Sequence, residues 1–261
     1  YTGVYRFGFN LEFLMAVSAS GLAASSVSSL SATQGGRVSA ALRKPVEVLS
    51  RQTESTRVRL SAFGQVQSAA AEVQSAARNL QDAKQTSTVI DARKAAENFV
   101  KAYNNERSTL AQATDAGNTA IASGALVDDG RARVAASQLQ RTVTDNAGAF
   151  RDAGITVQKD GSLSIDAKAF EAAFNANPSA VTQALGGVGR AAEATVARQL
   201  SSTGSVGASV NSLSNRVQQL ESRQAEVQTR TDESQRNVEA ASRRYDFSAS
   251  GTGSYLGIFG L

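Results

Sequence analysis

Carboxylates and hydroxyls supply the chain's only clear chemical candidates, and they gather in two places. In "KDGSLSID", residues 159–166, Asp160, Ser162, Ser164 and Asp166 alternate, a spacing at which side-chain oxygens could surround a calcium ion. A calcium loop needs its glycine at the sixth position for a sharp turn, whereas Gly161 directly follows the first aspartate. Asp128 and Asp129 form the second place, an adjacent pair that could serve in general acid–base work. They stand before a glycine and an arginine-bearing helical stretch, where acidic residues favour a helix start. The chain has no His and no Cys, which removes the usual proton-transfer residue, thiol nucleophiles, disulfides and common metal ligands. We expect no catalytic residues, no metal and no cofactor.

The elements around these residues explain them better. In "AGITVQKDGSLSIDAKAF", residues 153–170, pairing Ile155 with Ile165 and Val157 with Leu163 places four apolar side chains on one face of a β-hairpin. Thr156 then opposes Ser164, and Gln158 opposes Ser162. The register leaves a three-residue loop of Lys159, Asp160 and Gly161, a type I turn closed by a glycine in the left-handed region. Asp166 is placed to cap the following helix, on which Phe170 and Phe174 share a face.

Most of the remaining chain reads as helix. Val206, Val210, Leu213, Val217, Leu220, Gln224, Val227, Thr231, Ser234, Val238, Ala241 and Tyr245 alternate steps of four and three, a heptad seam. Such a helix is about 60 Å long. A second seam follows Lys44 and Pro45: Leu49, Thr53, Thr56, Leu60 and Phe63, then Val66, Ala70, Val73, Ala77 and Leu80 after a three-residue slip. A compact insertion between two such helices must return to its starting point, so they are expected to run antiparallel. Between them, residues 91–112 form a helix with Phe99 and Tyr103 on one face, residues 129–144 another, and Pro178 opens a third. Phe99, Tyr103, Phe150, Phe170 and Phe174 locate a small core in this middle region. Hydrophobic residues are 41% of the chain but largely alanine, whose burial contributes little, so thin helical layers are expected.

The termini differ. Residues 1–14 alternate, with Tyr5, Phe7, Phe9, Leu11 and Phe13 on one face, ahead of the sole methionine, Met15. We read Met15 as the natural start and residues 1–14 as an upstream extension, the alternative being a strand added to another subunit. Residues 16–36 are too polar for a membrane span, and Asn10 and Glu12 interrupt any signal-peptide core. The net charge of +4 is interspersed, without the basic patch and stacking aromatics of a nucleic-acid binder.

Together these segments resemble the hook-associated protein 2 family of flagellar filament-capping proteins. The family's "FV.AYN" helix is similar to "NFVKAYNN" at residues 98–105, and its "L..D...R....L" pattern to "GALVDDGRARVAASQL" at 124–139. Its "GI...DG.L..D" hairpin leading into "A...NP..V...L" resembles residues 153–185. "LSAFGQVQSAAAEVQSAARNL" at 60–80 resembles the first long helix, "RKPVEVL" the basic and proline-bearing stretch before it, and "MAVSASGL" the family's start. Family members usually carry β-rich domains between the first helix and "FV.AYN"; here only "QDAKQTSTVIDARKAAE" joins them. The resemblance implies export through the flagellar secretion channel without a cleavable signal peptide, an extracellular location on the bacterial flagellum, and ring or helical homo-oligomers. It also implies docking on flagellin or other hook-associated proteins, and an export chaperone.

The expected fold is mainly α: a long antiparallel helical coiled-coil rod from the N- and C-terminal segments, a small α+β head with one β-hairpin, and flexible termini. The expected boundaries are 1–36 flexible segment, 37–90 rod helix, 91–200 head, 201–246 heptad rod helix and 247–261 tail. Leu60, Phe63, Val66, Val73, Leu80, Val206, Val210, Leu213, Val217, Leu220, Val227, Val238 and Tyr245 are the expected rod or oligomer seam. Phe99, Tyr103, Ile155, Val157, Leu163, Ile165, Phe170 and Phe174 are the expected head core, with Gly161 and Asp166 as turn and cap. The expected function is that of a noncatalytic axial structural protein, cap-like or hook-associated. The alternatives are a subunit that polymerises into its own filament or sheath, and a secreted adhesin module.

Overall fold

The computed structural model describes residues 27–82, 88–115 and 124–258, with side chains placed at 44–82, 88–115, 124–241 and 243. The alternation at residues 1–14, Met15, and the side chain of Tyr245 lie outside the described residues. Among those described, seven helices and one two-stranded hairpin follow in the order α1 (Val27–Asp82), α2 (Val89–Thr114), α3 (Gly130–Asp145), α4 (Ala147–Asp152), β1 (Ile155–Val157), β2 (Leu163–Ile165), α5 (Ala167–Ala176), α6 (Pro178–Leu200) and α7 (Gly207–Ile258). The fold is mainly α with a small β-hairpin.

Side chains that satisfy free backbone N–H groups set the helix starts. Thr88 accepts from Asp91 N–H, Asp129 from Arg131 and Ala132, Asp166 from Lys168 and Ala169, and Asn177 from Ala180 with Pro178 at the first turn. Three elements differ from the sequence expectation. α1 begins at Val27 and runs through Pro45, although proline cannot donate the i→i−4 bond. α7 continues to Ile258, past the expected start of the tail. α4 is an additional short helix, and at six residues it is too short for periodicity to reveal.

The chain divides into two units, residues 47–226 and residues 1–46 with 227–261. The larger unit contains one continuous core. Phe99 and Phe150 stack with ring centres 6.1 Å apart, and Phe170 and Phe174 stack at 6.3 Å. That core is not confined to residues 91–200: Phe63, Val66, Val73 and Leu80 of α1 are fully buried in the same cluster as Phe99 and Leu110. The stripe assigned to a rod seam therefore packs into the head along this half of α1. Periodicity shows that a stripe is covered but not by which neighbour.

α3 and α6 run antiparallel, with Gln199 Nε2 donating to Ala135 O at 3.1 Å and Thr142 Oγ1 donating to Thr195 Oγ1 at 3.0 Å. α1 and α7 are also antiparallel within this unit. Arg57 pairs with Glu221 at 2.6 Å, and Gln224 Nε2 donates to Ser50 Oγ at 3.1 Å, so rising positions on one helix meet falling positions on the other. In the smaller unit, Val227, Thr231 and Ser234 are half-buried and Val238 is 44% exposed.

The hairpin pairs Ile155 with Ile165, Thr156 with Ser164 and Val157 with Leu163, the register that the alternation predicts. Gly161 N–H closes the turn onto Gln158 O at 2.9 Å, and Gln158 N–H donates to Ser162 O at 2.8 Å. Gly161 has φ +85°, where a side chain would be strained. Ile155 and Leu163 face the core, while Val157 and Ile165, on the same face, are half-buried.

Candidate functional site

The hairpin is held by one face of α2. Tyr103 Oη donates to Gly161 O at 3.0 Å, Asn104 Nδ2 donates to Leu163 O at 2.8 Å, and Asn104 Oδ1 accepts from Leu163 N–H at 2.9 Å. Arg107 donates to Asp160 O, and its guanidinium lies 3.6 Å from the Asp160 carboxylate. Asparagine is a poor residue for a helix interior, so its place in "KAYNNER" is a local signal that this side chain has another partner. Sequence reasoning placed Tyr103 in the core but missed Asn104 and Arg107.

Gly154 was missed as well. Its φ is +70°, and a Cβ there would lie 2.6 Å from Phe170 N, so α5 can cross directly behind the start of β1 only over a glycine. Asp166 N–H donates to Gly154 O at 3.1 Å and closes the open end of the hairpin.

The carboxylates of the first motif are engaged by their own backbone. Asp160 Oδ1 accepts from Ser162 N–H and Oγ, which holds its carboxyl below the usual range, with Arg107 adding to the effect. Asp166 Oδ1 caps α5. Glu171, the twelfth position counted from Asp160, pairs instead with Arg93 at 2.8 Å. In the second motif, Asp129 Oδ1 caps α3 while its Oδ2 meets Arg59 at 2.7 Å, leaving neither oxygen free as a base. Asp128 is almost fully exposed. Among the described residues no group of three His, Cys, Asp or Glu could hold a metal ion.

Two titratable groups on α2 are perturbed by burial. The Tyr103 phenol is pushed up to about 12. Glu106 occupies the buried stripe between Tyr103 and Leu110, its carboxyl has no hydrogen-bond partner, and burial pushes it up to about 8.

Burial along α7 keeps the four-and-three spacing as far as Ser234, whereas Val238 and Ala241 are exposed. Val206, Val217 and Leu220 are buried, Val210 and Leu213 are half-buried, and Leu60 of α1 is half-buried. The adjoining Val227 is half-buried in the smaller unit. No described helix is long and apolar enough to cross a membrane.

No curated protein sequence matches this chain. The family model described as the C-terminus of flagellar hook-associated protein 2 matches residues 77–248, well over half of the chain. The matched stretch takes in the gripping face of α2, the hairpin, both stacked aromatic pairs and most of α7. By this match the chain belongs to the flagellar hook-associated protein 2 family, whose members have a structural role at the flagellar cap or hook.

Proposed function

We propose that this chain is a noncatalytic axial subunit of the bacterial flagellum that oligomerises, docks at the filament or hook end and assists flagellin assembly. The family match over residues 77–248 carries this reading. Val48 of α1 at 53% exposure and Val238 of α7 at 44% are single exposed apolar residues on the long helices, and they are the positions at which subunit contact is tested. Its partners are further copies of itself and other axial proteins, flagellin and hook-associated proteins.

A second reading, a subunit that polymerises into its own filament, is favoured by one observation. α1 ends at Asp82 and α2 begins at Val89, so the connection has no length for the β-rich domains that family members place there. Without that bulk, addition of further subunits has less to stop it. Electron microscopy of purified full-length protein separates the two: closed rings of fixed size fit the cap-like subunit, and fibres of unlimited length sink it.

A further inference from the structure

α3 and α6 leave a groove of about 470 Å³ where the first turn of α3 meets the loop between α6 and α7, residues 201–206. Arg131 and Arg198 stand on it, together with the hydroxyl-rich loop residues Ser201, Thr203 and Ser205, and no acidic side chain lines it. Among the described residues neither guanidinium lies within ion-pair distance of a carboxylate, and these two stand on the same groove. Arg198 makes only a long 3.3 Å bond to Thr195 Oγ1. The carboxylates beside Arg131 in sequence are turned elsewhere, Asp129 to Arg59 and Asp128 to Arg133.

The loop is fixed in a way that leaves the Thr203 hydroxyl available. Ser201 N–H, Ser201 Oγ and Val206 N–H satisfy the carbonyls of Ala197, Arg198 and Gln199, so the negative end of α6 is already capped. Thr203 Oγ1 has only a 3.5 Å contact with Ser201 Oγ, and Ser205 Oγ is buried with no partner at all. Unpaired guanidiniums offer forked donors that match the geometry of carboxylate and phosphate oxygens, and hydroxyls complete such a shell.

We propose that this groove is an oxyanion-binding site, with Arg131 and Arg198 as charged donors and Thr203 as a hydroxyl donor. The anion is either a carboxylate carried on an acidic peptide or a free phosphate-type group.

The test is an amide NMR titration of the full chain at constant ionic strength, with inorganic phosphate in one arm and a blocked diglutamate peptide in the other. Saturable shifts confined to Arg131 and residues 201–206 are expected, with affinity at least tenfold weaker in the Arg131→Ala/Arg198→Ala double variant. Arg198→Gln alone, with an unchanged unfolding midpoint, should weaken binding several-fold and separates loss of the site from loss of the fold. Saturation by peptide alone assigns the site to acidic peptides, and saturation by phosphate alone to the free anion. Shifts that never saturate, that spread over the surface, or that persist in the double variant overturn the proposal, as does silence in both arms.

Discussion

Asn104 holds Leu163 with both atoms of its side-chain amide, Nδ2 on the carbonyl at 2.8 Å and Oδ1 on the N–H at 2.9 Å. The antiparallel ladder explains why Leu163 needs it. The bonds Gln158 N–H to Ser162 O and Asp166 N–H to Gly154 O make those residues the hydrogen-bonded pairs. The alternate pair, Val157 with Leu163, therefore turns its backbone groups outward. A helix side chain thus stands in for a third strand.

Asn104→Ala leaves one N–H and one C=O of β2 without their partner in a part-buried position, a loss of about 1–3 kcal/mol. Urea unfolding should show a lower midpoint with unchanged slope, and the Leu163 amide should lose hydrogen-exchange protection before its neighbours. Full protection of that amide in the variant would show that the clamp is dispensable.

Gly154→Ala should destabilise by about 1–3 kcal/mol, because it combines a left-handed backbone with a 2.6 Å approach to Phe170 N. Gly187→Ala in α6 is the contrast: no atom lies within 4 Å of its new methyl, and the helix gains about 0.5–1 kcal/mol. Thermal unfolding of the two variants should move in opposite directions.

These contrasts also show what the sequence could and could not convey. The turn at Gly161 and the caps at Asp129 and Asp166 depend on a few adjacent residues, so spacing alone points to them. The hairpin register was legible because a one-residue slip would turn Ile155 and Leu163 away from the core. Gly154 was not legible, because its constraint comes from α5 passing behind it. Nor was the destination of Phe63, Val66 and Val73, because a seam with a helical partner and a seam in a shared core have the same period. Glu106 interrupts the buried stripe of α2 with a charge, and only its burial in the fold makes it unusual.

Glu106 gives stability a definite pH dependence. Its carboxyl is pushed up to about 8 in the fold from an ordinary 4.5. Below pH 4.5 both states hold the proton. Between 4.5 and 8 the unfolded chain releases it while the folded chain retains it, so stability falls as pH rises, and above 8 the loss is complete. Asp160 acts with the opposite sign: its carboxyl is lowered, so its contribution is lost only as pH falls below the carboxylate range. Urea unfolding at pH 5, 7 and 9 should show a decline of roughly 3–4 kcal/mol in the native chain. Glu106→Gln should flatten that decline, and an equally steep decline in the variant would assign it to another group.

Assembly and folding should separate along α7. Leu220 is 2% exposed in the larger unit, so Leu220→Glu buries a charge and should lower the unfolding midpoint, at a cost of about 3 kcal/mol or more. Val238 lies on the same four-and-three spacing but is 44% exposed, so Val238→Glu removes nothing that the isolated subunit relies on. Its midpoint should stay within about 0.5 kcal/mol of the native value. If the α7 seam is where neighbouring subunits dock, analytical ultracentrifugation of Val238→Glu should show the assembled species replaced by monomer. Normal assembly of a normally stable Val238→Glu chain would remove this part of α7 from the interface, and would move the search for the docking surface to Val48 on α1.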